Sequence, residues 1–207
     1  MNISICIATY GSDEWEQMAL TRALPSAQAQ GVEVVVGHDP SGTIAQVRND
    51  LAEKATGEWL CFLDADDELG PGFVEAIQRS NRGTTFYEGK HVLYTPAISY
   101  VHKGRPRPPR FHPIGDLRDD NFLVVGTLVE RELFLQVEGF SDYPHGFEDW
   151  SLWAKCWKAG AEIVQVPRAV YIAYVNPRSA HRTGWRDRKW QVDMHMKVRA
   201  ELFPELS

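Results

Sequence analysis

Three apolar segments with helical sequence between them constrain the fold of this chain more than any other feature. The segments are Ile3–Ala8, Val32–Gly37 and Trp59–Leu63. Each is short and contains β-branched or aromatic residues, which is typical of a strand buried on both faces. Helical patterns occupy residues 13–30 and 43–56 between them. The order β-α-β-α-β predicts an α/β fold with a mostly parallel, doubly wound sheet and helices on both faces.

The second half of the chain alternates less regularly. Further strands are predicted at Phe122–Val129, Ile163–Val166 and Ala169–Tyr174. A helix is expected to begin near Trp150. The pattern of residues 182–207 indicates an amphipathic tail helix, which would either cover the chain's own core or serve a homodimer. We therefore expect one domain with two halves, 1–101 and 102–181, followed by this tail.

The composition indicates a soluble protein of a reducing compartment. Lysine and arginine number 22 and aspartate and glutamate 28, so the formal net charge is −6, which argues against broad non-specific binding of nucleic acid. Cys6, Cys61 and Cys156 lie far apart in apolar segments and are expected to be buried thiols. The sequence shows neither a signal-peptide pattern nor an apolar run of membrane length, and we expect a cytoplasmic protein.

Three aspartates directly follow the third apolar segment: Asp64, Asp66 and Asp67. Like charges at the end of a buried strand repel one another and lose hydration, so they need a compensating partner. Mg²⁺ and Mn²⁺ prefer oxygen ligands and are often held by one or two carboxylates plus the phosphates of a substrate. The run therefore predicts either a metal site or an acidic turn that caps the following helix.

Polar side chains also follow the first and second predicted strands, at Thr9, Tyr10 and Asp39. The carboxyl ends of parallel strands meet at one edge of the sheet, where open α/β folds bind ligands. An aromatic ring, carboxylates and a metal site suit a nucleoside diphosphate, whose charge a cation would neutralise because glycine-rich phosphate loops are absent. Arg48 lies on the flank of a predicted helix's buried stripe, where its guanidinium needs an anionic partner or a route to solvent.

A second acidic pair, Glu148 and Asp149, begins the helix of the second half. The helix macrodipole favours carboxylates at this place, so they either cap the helix or provide a general base. In the second case we expect the helix end to keep the pKa of the base low enough for ionisation at neutral pH. Trp150 is interpreted as a core residue or a sugar-stacking platform, and His181 as an ordinary histidine or a ligand.

These segments, in this order, resemble the family-2 glycosyltransferases with a GT-A fold. Members open with a hydrophobic strand ending in Pro-Thr-Tyr, and this chain has Ala8-Thr9-Tyr10 at that place. The other matching segments are Asp39-Pro40-Ser41, Val47-Arg48-Asn49, Ala55-Thr56-Gly57, Phe62 to Asp67, Glu138-Gly139-Phe140 and Glu148-Asp149-Trp150. The resemblance extends over about residues 2–181 and leaves the tail outside it.

The resemblance implies an inverting, metal-dependent transfer of a sugar from a nucleoside diphosphate sugar, a UDP-sugar first of all, to an acceptor hydroxyl. Residues 1–101 would bind the nucleotide sugar, and residues 102–181 would hold the acceptor and the catalytic groups. The implied nucleotide contacts are Thr9, Tyr10, Asp39, Arg48 and Asp64. Asp66 and His181 would bind Mn²⁺ or Mg²⁺. Asp149, beside Glu148, would be the general base, and Trp150 would contact an acceptor whose identity stays open.

Three other classes of function stay open at this point, one of them a two-carboxylate glycosidase, which would need no nucleotide. A nucleotidyltransferase that makes sugar nucleotides also uses an α/β fold and acidic metal ligands, although it wants a lysine-bearing, glycine-rich loop that the segment Thr9–Ser12 lacks. A non-catalytic module that binds nucleotide sugars would need no general base, and the acidic pair at Glu148 and Asp149 argues against it.

Overall fold

The computed structural model describes residues 1–82, 89–143, 146–175 and 188–206, and it has the predicted α/β class. The strands are β1 (Ile3–Tyr10), β2 (Glu33–Asp39), β3 (Trp59–Asp64), β4 (Glu68–Leu69), β5 (Val92–His102), β6 (Arg105–Pro106), β7 (Val129–Glu130) and β8 (Glu162–Tyr174). The α-helices are α1 (Asp13–Met18), α2 (Leu24–Gln28), α3 (Ile44–Lys54), α4 (Phe73–Arg82), α5 (Arg131–Gln136), α6 (Glu148–Lys158) and α7 (Arg188–Leu202).

The first sheet contains the three strands predicted from the apolar segments. Its order is β2-β1-β3-β7, in which β1 pairs in parallel with both β2 and β3. The central strands are buried on both faces, as the continuous apolar pattern predicts. Helix α3 begins at a capping box in which Thr43 and Gln46 bond each other's backbone N–H groups. These elements bring the carboxyl ends of β1, β2 and β3 to one edge.

The second sheet has the order β4-β8-β5-β6, and the pairing of β5 with β8 is parallel. The two strands predicted at 163–166 and 169–174 form the single strand β8. Its register against β5 shifts between Pro96 and Ala97, which pair with Val166 and Val170, so the residues between them bulge out of the ladder. The sequence signal for an interruption is therefore a bulge rather than a strand end.

The strand predicted at Phe122–Val129 is wrong, because β7 contains only the last of these residues. The backbone turns here, with the Thr127 N–H donating to the Val124 carbonyl. A Cβ atom at Gly126 would clash with Cδ2 of Tyr171, so this turn passes close against the ring. Several apolar residues of the segment are buried all the same. An apolar run indicates burial here without indicating a strand.

The first predicted helix is interrupted, as expected near Pro25. A π-helical turn, Ala19–Ala23, separates α1 from α2 just before Pro25, whose ring nitrogen has no hydrogen to donate to the helix. The three cysteines are free and buried, which confirms their interpretation as core thiols.

The tail helix α7 packs on the body of the protein. Val198 and Phe203 are fully buried, and the Lys158 ammonium donates to the carbonyl of Leu202. Covering the chain's own core is thus confirmed for α7, while a homodimer stays a prediction. Among the described residues, no helix has the length and apolar character of a membrane span. The boundaries at 101 and 181 and the cytoplasmic location also stay predictions.

Candidate functional site

The carboxyl ends of the three parallel strands place most of the predicted nucleotide contacts on one edge of the first sheet. In the strand register, Tyr10 is opposite Asp39, and Ala8 is opposite Asp64. Burial and then the negative charge of Glu148 raise the pKa of the Tyr10 hydroxyl, so this ring lies within electrostatic reach of α6. The edge therefore includes groups from both halves of the chain.

Arg48 joins the two halves by a double ion pair. Its Nη2 lies 2.6 Å from Oδ1 of Asp64, and its Nη1 lies 2.8 Å from Oε1 of Glu148. The residue is 3% exposed, and its Cζ lies 5.0 Å from the centroid of the Phe140 ring. Burial alone would lower the pKa of Arg48, but the carboxylates of Asp64 and Glu148 outweigh it and raise the pKa. The sequence left either an anionic partner or a route to solvent for Arg48, and the structure gives it two anionic partners.

Asp149 follows Glu148 in the first turn of α6 and accepts two hydrogen bonds. Its Oδ2 accepts from Nδ2 of Asn121 at 2.9 Å, and its Oδ1 accepts from the backbone N–H of Trp150 at 2.7 Å. Burial, and then the neighbouring charge of Glu148, raise the pKa of Asp149 to about 7, while Arg48 acts in the opposite direction. The expected low pKa is therefore wrong, because desolvation and a like charge outweigh the helix end.

Only one of the two carboxylate oxygens of Glu148 accepts a hydrogen bond among the described residues. Oε1 is bound to Arg48, whereas Oε2 is buried and has no hydrogen-bond partner among the residues that the structure describes. An orphaned carboxylate oxygen beside Asp149 increases the local negative potential. The pair at the start of α6 is thus a largely buried acidic centre rather than a pair of solvated caps.

The acidic turn after β3 divides its three aspartates between different environments. Asp67 is buried and accepts the backbone N–H of Tyr174 at 2.8 Å, so it fastens the turn to β8. Burial and then the charges of Asp64 and Asp66 raise the pKa of Asp67 well above its ordinary value. The Arg22 guanidinium, packed on the Tyr174 ring, donates to the backbone carbonyl of Asp66 at 2.9 Å. The turn that carries Asp66, the proposed metal ligand, is therefore held by Arg22 and by the backbone of Tyr174.

The donor set at this turn fits a hard divalent cation. Burial is the main cause of the raised pKa of Asp67, and the negative charges of Asp64 and Asp66 add to it. A cation at this turn would offset the repulsion among these charges. Within the described ranges there is no cluster of three or more histidine, cysteine, aspartate or glutamate side chains that could hold a metal by itself. A site of one or two carboxylates completed by substrate phosphates needs no such cluster. His181, the other predicted ligand, lies outside the described residues.

Two predicted nucleotide contacts are held by local hydrogen bonds. Thr9 is buried, and its hydroxyl bonds to Nδ1 of His38 at 2.9 Å and to the carbonyl of Gly37 at 3.2 Å. Asp39 accepts both the N–H and the hydroxyl of Ser41, and these bonds lower the pKa of its carboxyl group. Asp39 is thus an oriented, ionised acceptor at the end of β2, whereas the Thr9 hydroxyl is occupied inside the sheet.

Trp150 lies beneath the tail helix. It is 1% exposed, its ring stacks on His195 with centroids 4.8 Å apart, and its Nε1 donates to the carbonyl of Leu117 at 2.8 Å. The acceptor contact implied for Trp150 therefore has no open ring face in this structure. A separate cavity of about 360 Å³ near Ile114 and Trp157 includes none of the predicted site residues.

Sequence reasoning missed two residues next to the acidic pair, Asn121 and His195. Asn121 lies in an irregular polar loop, and His195 lies on a helix outside the family resemblance. Neither position has a spacing or motif that indicates a functional site. Their relevance depends on contacts across long stretches of chain.

Comparison with known proteins agrees with the resemblance found in the sequence. The model of glycosyl transferase family 2 matches residues 2–83. No curated protein showed a significant match. The structure of S. aureus TarS 1–349 in complex with UDP-GlcNAc is similar at a TM-score of 0.68 and 15% identity, covering 98% of this chain and 66% of that one. The same TarS segment in complex with UDP is similar at a TM-score of 0.64 and 16% identity, and the match covers 98% of this chain and 65% of that one.

These comparisons confirm the family-2 resemblance within the N-terminal segment and the GT-A fold for the chain. The chain spans slightly less than two thirds of the length of the TarS segment that it matches.

Proposed function

We propose that this chain, which resembles the family-2 glycosyltransferases and has their GT-A fold, is an inverting, metal-dependent glycosyltransferase. It would move a sugar from a nucleoside diphosphate sugar to an acceptor hydroxyl. The observation that carries the proposal is the double ion pair of Arg48 with Asp64 and Glu148. It joins the strand edge expected to bind nucleotide to the helix that carries Asp149.

A UDP-sugar is the donor that we propose. TarS, which shares the fold, has been crystallised with UDP-GlcNAc and with UDP. In this chain Tyr10 offers a ring, and Asp39 offers an oriented carboxylate, at adjacent ends of β1 and β2. Asp66 and His181 would hold the cation, which, when bound, neutralises the charge of the diphosphate. Thr9 would act by fixing His38 rather than by touching the nucleotide.

The chemistry that these groups support is a single displacement at the anomeric carbon. An Asp149 carboxylate oxygen takes the proton of the acceptor hydroxyl while that oxygen forms the new bond to the anomeric carbon. The bond to the diphosphate breaks on the opposite face, and the electron pair leaves with the diphosphate. A base with a pKa of about 7 is well matched to this task near neutral pH. Arg48 would keep Asp64 and Glu148 in place.

Thermal shift with nucleoside diphosphate sugars, in Mn²⁺ and in EDTA, tests the donor part of this proposal. A donor present at 100 times its Kd adds about 2.7 kcal/mol of stability, which corresponds to a rise in Tm of roughly 5–10 °C for a chain of this size. We expect this rise with Mn²⁺ and its loss in EDTA. Asp66→Ala should abolish the Mn²⁺-dependent part, and Asp142→Asn, at an exposed position, should leave it unchanged.

Product analysis tests the reaction. Slow release of nucleoside diphosphate from the donor, with water as the acceptor, supports a glycosyltransferase. Release of pyrophosphate from a nucleoside triphosphate would instead make the chain a nucleotidyltransferase. Metal-dependent binding without any turnover would leave a nucleotide-sugar-binding module and would contradict the proposed transfer.

A further inference from the structure

We infer that Asn121 is a positioning residue for the general base, and that its side-chain amide holds the Asp149 carboxylate in the orientation needed to receive the acceptor's proton. The role of Asp149 in this inference rests on the proposed function. The contact between the two side chains does not.

The contact is direct and its orientation is determined. Nδ2 of Asn121 lies 2.9 Å from Oδ2 of Asp149, across 28 residues of sequence. The other end of the amide, Oδ1, accepts the backbone N–H of Leu123 at 3.0 Å. Because that N–H can only donate, the amide oxygen must face Leu123 and the amide nitrogen must face Asp149. The opposite orientation would put two acceptors against each other.

The loop that carries Asn121 is fastened by both α6 and α7. Arg199 on α7 donates to the carbonyl of Arg118 at 2.7 Å and to Oδ1 of Asp119 at 3.0 Å. Trp150 on α6 donates to the carbonyl of Leu117, and its ring carries His195 of α7. Helix α7 therefore holds both Trp150, which follows Asp149, and the loop whose Asn121 bonds Asp149. This gives α7 a consequence for the site that its amphipathic pattern does not indicate.

The amide matters because the rest of the environment opposes ionisation of Asp149. Burial and the charges of Glu148 and Asp64 disfavour the carboxylate, whereas Arg48 favours it. On the α7 side, Nε2 of His195 lies 3.6 Å from Oδ1 of Asp120. A hydrogen bond donated to the charged form favours that form. Without Asn121 the Asp149 carboxylate would retain one hydrogen-bond donor among the described residues, the Trp150 N–H, and could rotate.

Two substitutions separate a positioning role from a role in the loop's own structure. Asn121→Ala removes both contacts of the amide. Asn121→Asp keeps an oxygen for the Leu123 N–H but replaces the donor that faces Asp149 with a second carboxyl group. If Asn121 only shaped the loop, the aspartate variant would behave like the parent protein. If Asn121 positions the base, the aspartate variant is the more severe of the two.

The measurements are the titration of the Asp149 carboxyl carbon by NMR, assigned with Asp149→Asn, and the pH profile of UDP-sugar hydrolysis with Mn²⁺. We expect the Asp149 pKa and the acid limb of hydrolysis to move to higher pH in both variants, further in Asn121→Asp. At pH 7 we expect kcat to fall about 10-fold in Asn121→Ala, below the ~100-fold that a 1 Å misplacement can cost. The KM for the donor should not change, and Asp142→Asn, at an exposed position outside that loop, serves as the control.

An Asp149 titration that is the same in the parent protein and in both folded variants would overturn the inference. A parallel rise in KM for the donor would do so as well, because it would indicate a general disturbance of the site. If the parent protein hydrolyses no donor, the proposed function fails, and the titration still decides the contact between Asn121 and Asp149.

Discussion

The two sides of the candidate site are built in different ways. The donor side consists of the ends of regular parallel strands, where register alone places Tyr10 beside Asp39. The base side consists of the start of α6, which follows Phe147 in a left-handed conformation (φ 73°), an irregular loop and the tail helix. Arg48 connects the two sides. A site of this kind would bind its donor on the edge of a regular sheet and would depend, for proton transfer, on contacts between segments that lie far apart in the sequence.

The largest expected effect separates binding from chemistry. Asp149→Asn removes the proposed base and should lower turnover by about 10²–10⁴-fold. The Mn²⁺-dependent thermal shift with a UDP-sugar should persist, because no donor-side residue changes. Turnover close to that of the parent protein would exclude Asp149 as the base, and loss of the thermal shift would show that the two sides are not separable.

The link between the sides is expected to dominate stability. Arg48→Met leaves two carboxylates near one another without their cation, and removal of one partner from a buried pair costs about 3–5 kcal/mol. Urea unfolding measures this change. Arg79→Met, which removes an exposed i,i+4 partner of Glu75, should cost less than about 0.5 kcal/mol. Equal losses for the two variants would contradict the role given to Arg48.

The base side should lose stability as the pH rises. Burial raises the folded-state pKa of Asp149 to about 7, from about 4 in an unfolded chain. Its contribution to stability is therefore fully present below about pH 4 and is lost as the pH rises towards 7. Asp149→Asn removes this loss, so the variant should gain roughly 1–2 kcal/mol over the parent between pH 4 and pH 8, a discounted value for a partly exposed group.

Urea unfolding at a series of pH values checks the sign of this prediction. Asp142→Asn makes the same change of charge at an exposed position, and its difference from the parent protein should stay flat with pH. A stability difference for Asp149→Asn that shrinks as the pH rises would mean that the Asp149 carboxyl group is stabilised by the fold.

The smallest effect tests the tail. Arg199→Met removes two hydrogen bonds to the loop that carries Asn121. Because Asp119 is largely exposed, we expect a loss of about 1 kcal/mol or less. Hydrolysis of the donor should fall a few-fold at an unchanged thermal shift with donor. Unchanged hydrolysis would mean that α7 covers the core without influencing the base.

The sequence predicted regular structure better than irregular structure. The three parallel strands of the first sheet and the interruption near Pro25 follow from local apolar and proline patterns, and the structure has them. The segment 122–129 has an equally apolar pattern, yet it is a buried loop that turns against Tyr171. The burial of this segment explains its apolar residues, whereas its turn depends on the ring of Tyr171, which lies more than forty residues away in the sequence.

The sequence by itself determined the class of fold, the edge on which polar strand ends meet, and the need of Arg48 for either an anionic partner or a route to solvent. These follow from periodicity and from the cost of burying a charge. Only the tertiary structure decided that Arg48 has two partners, that burial beside Glu148 raises the pKa of Asp149, and that Asn121 bonds Asp149. Desolvation and hydrogen-bond geometry depend on which distant segments meet, and no local pattern of residues carries that information.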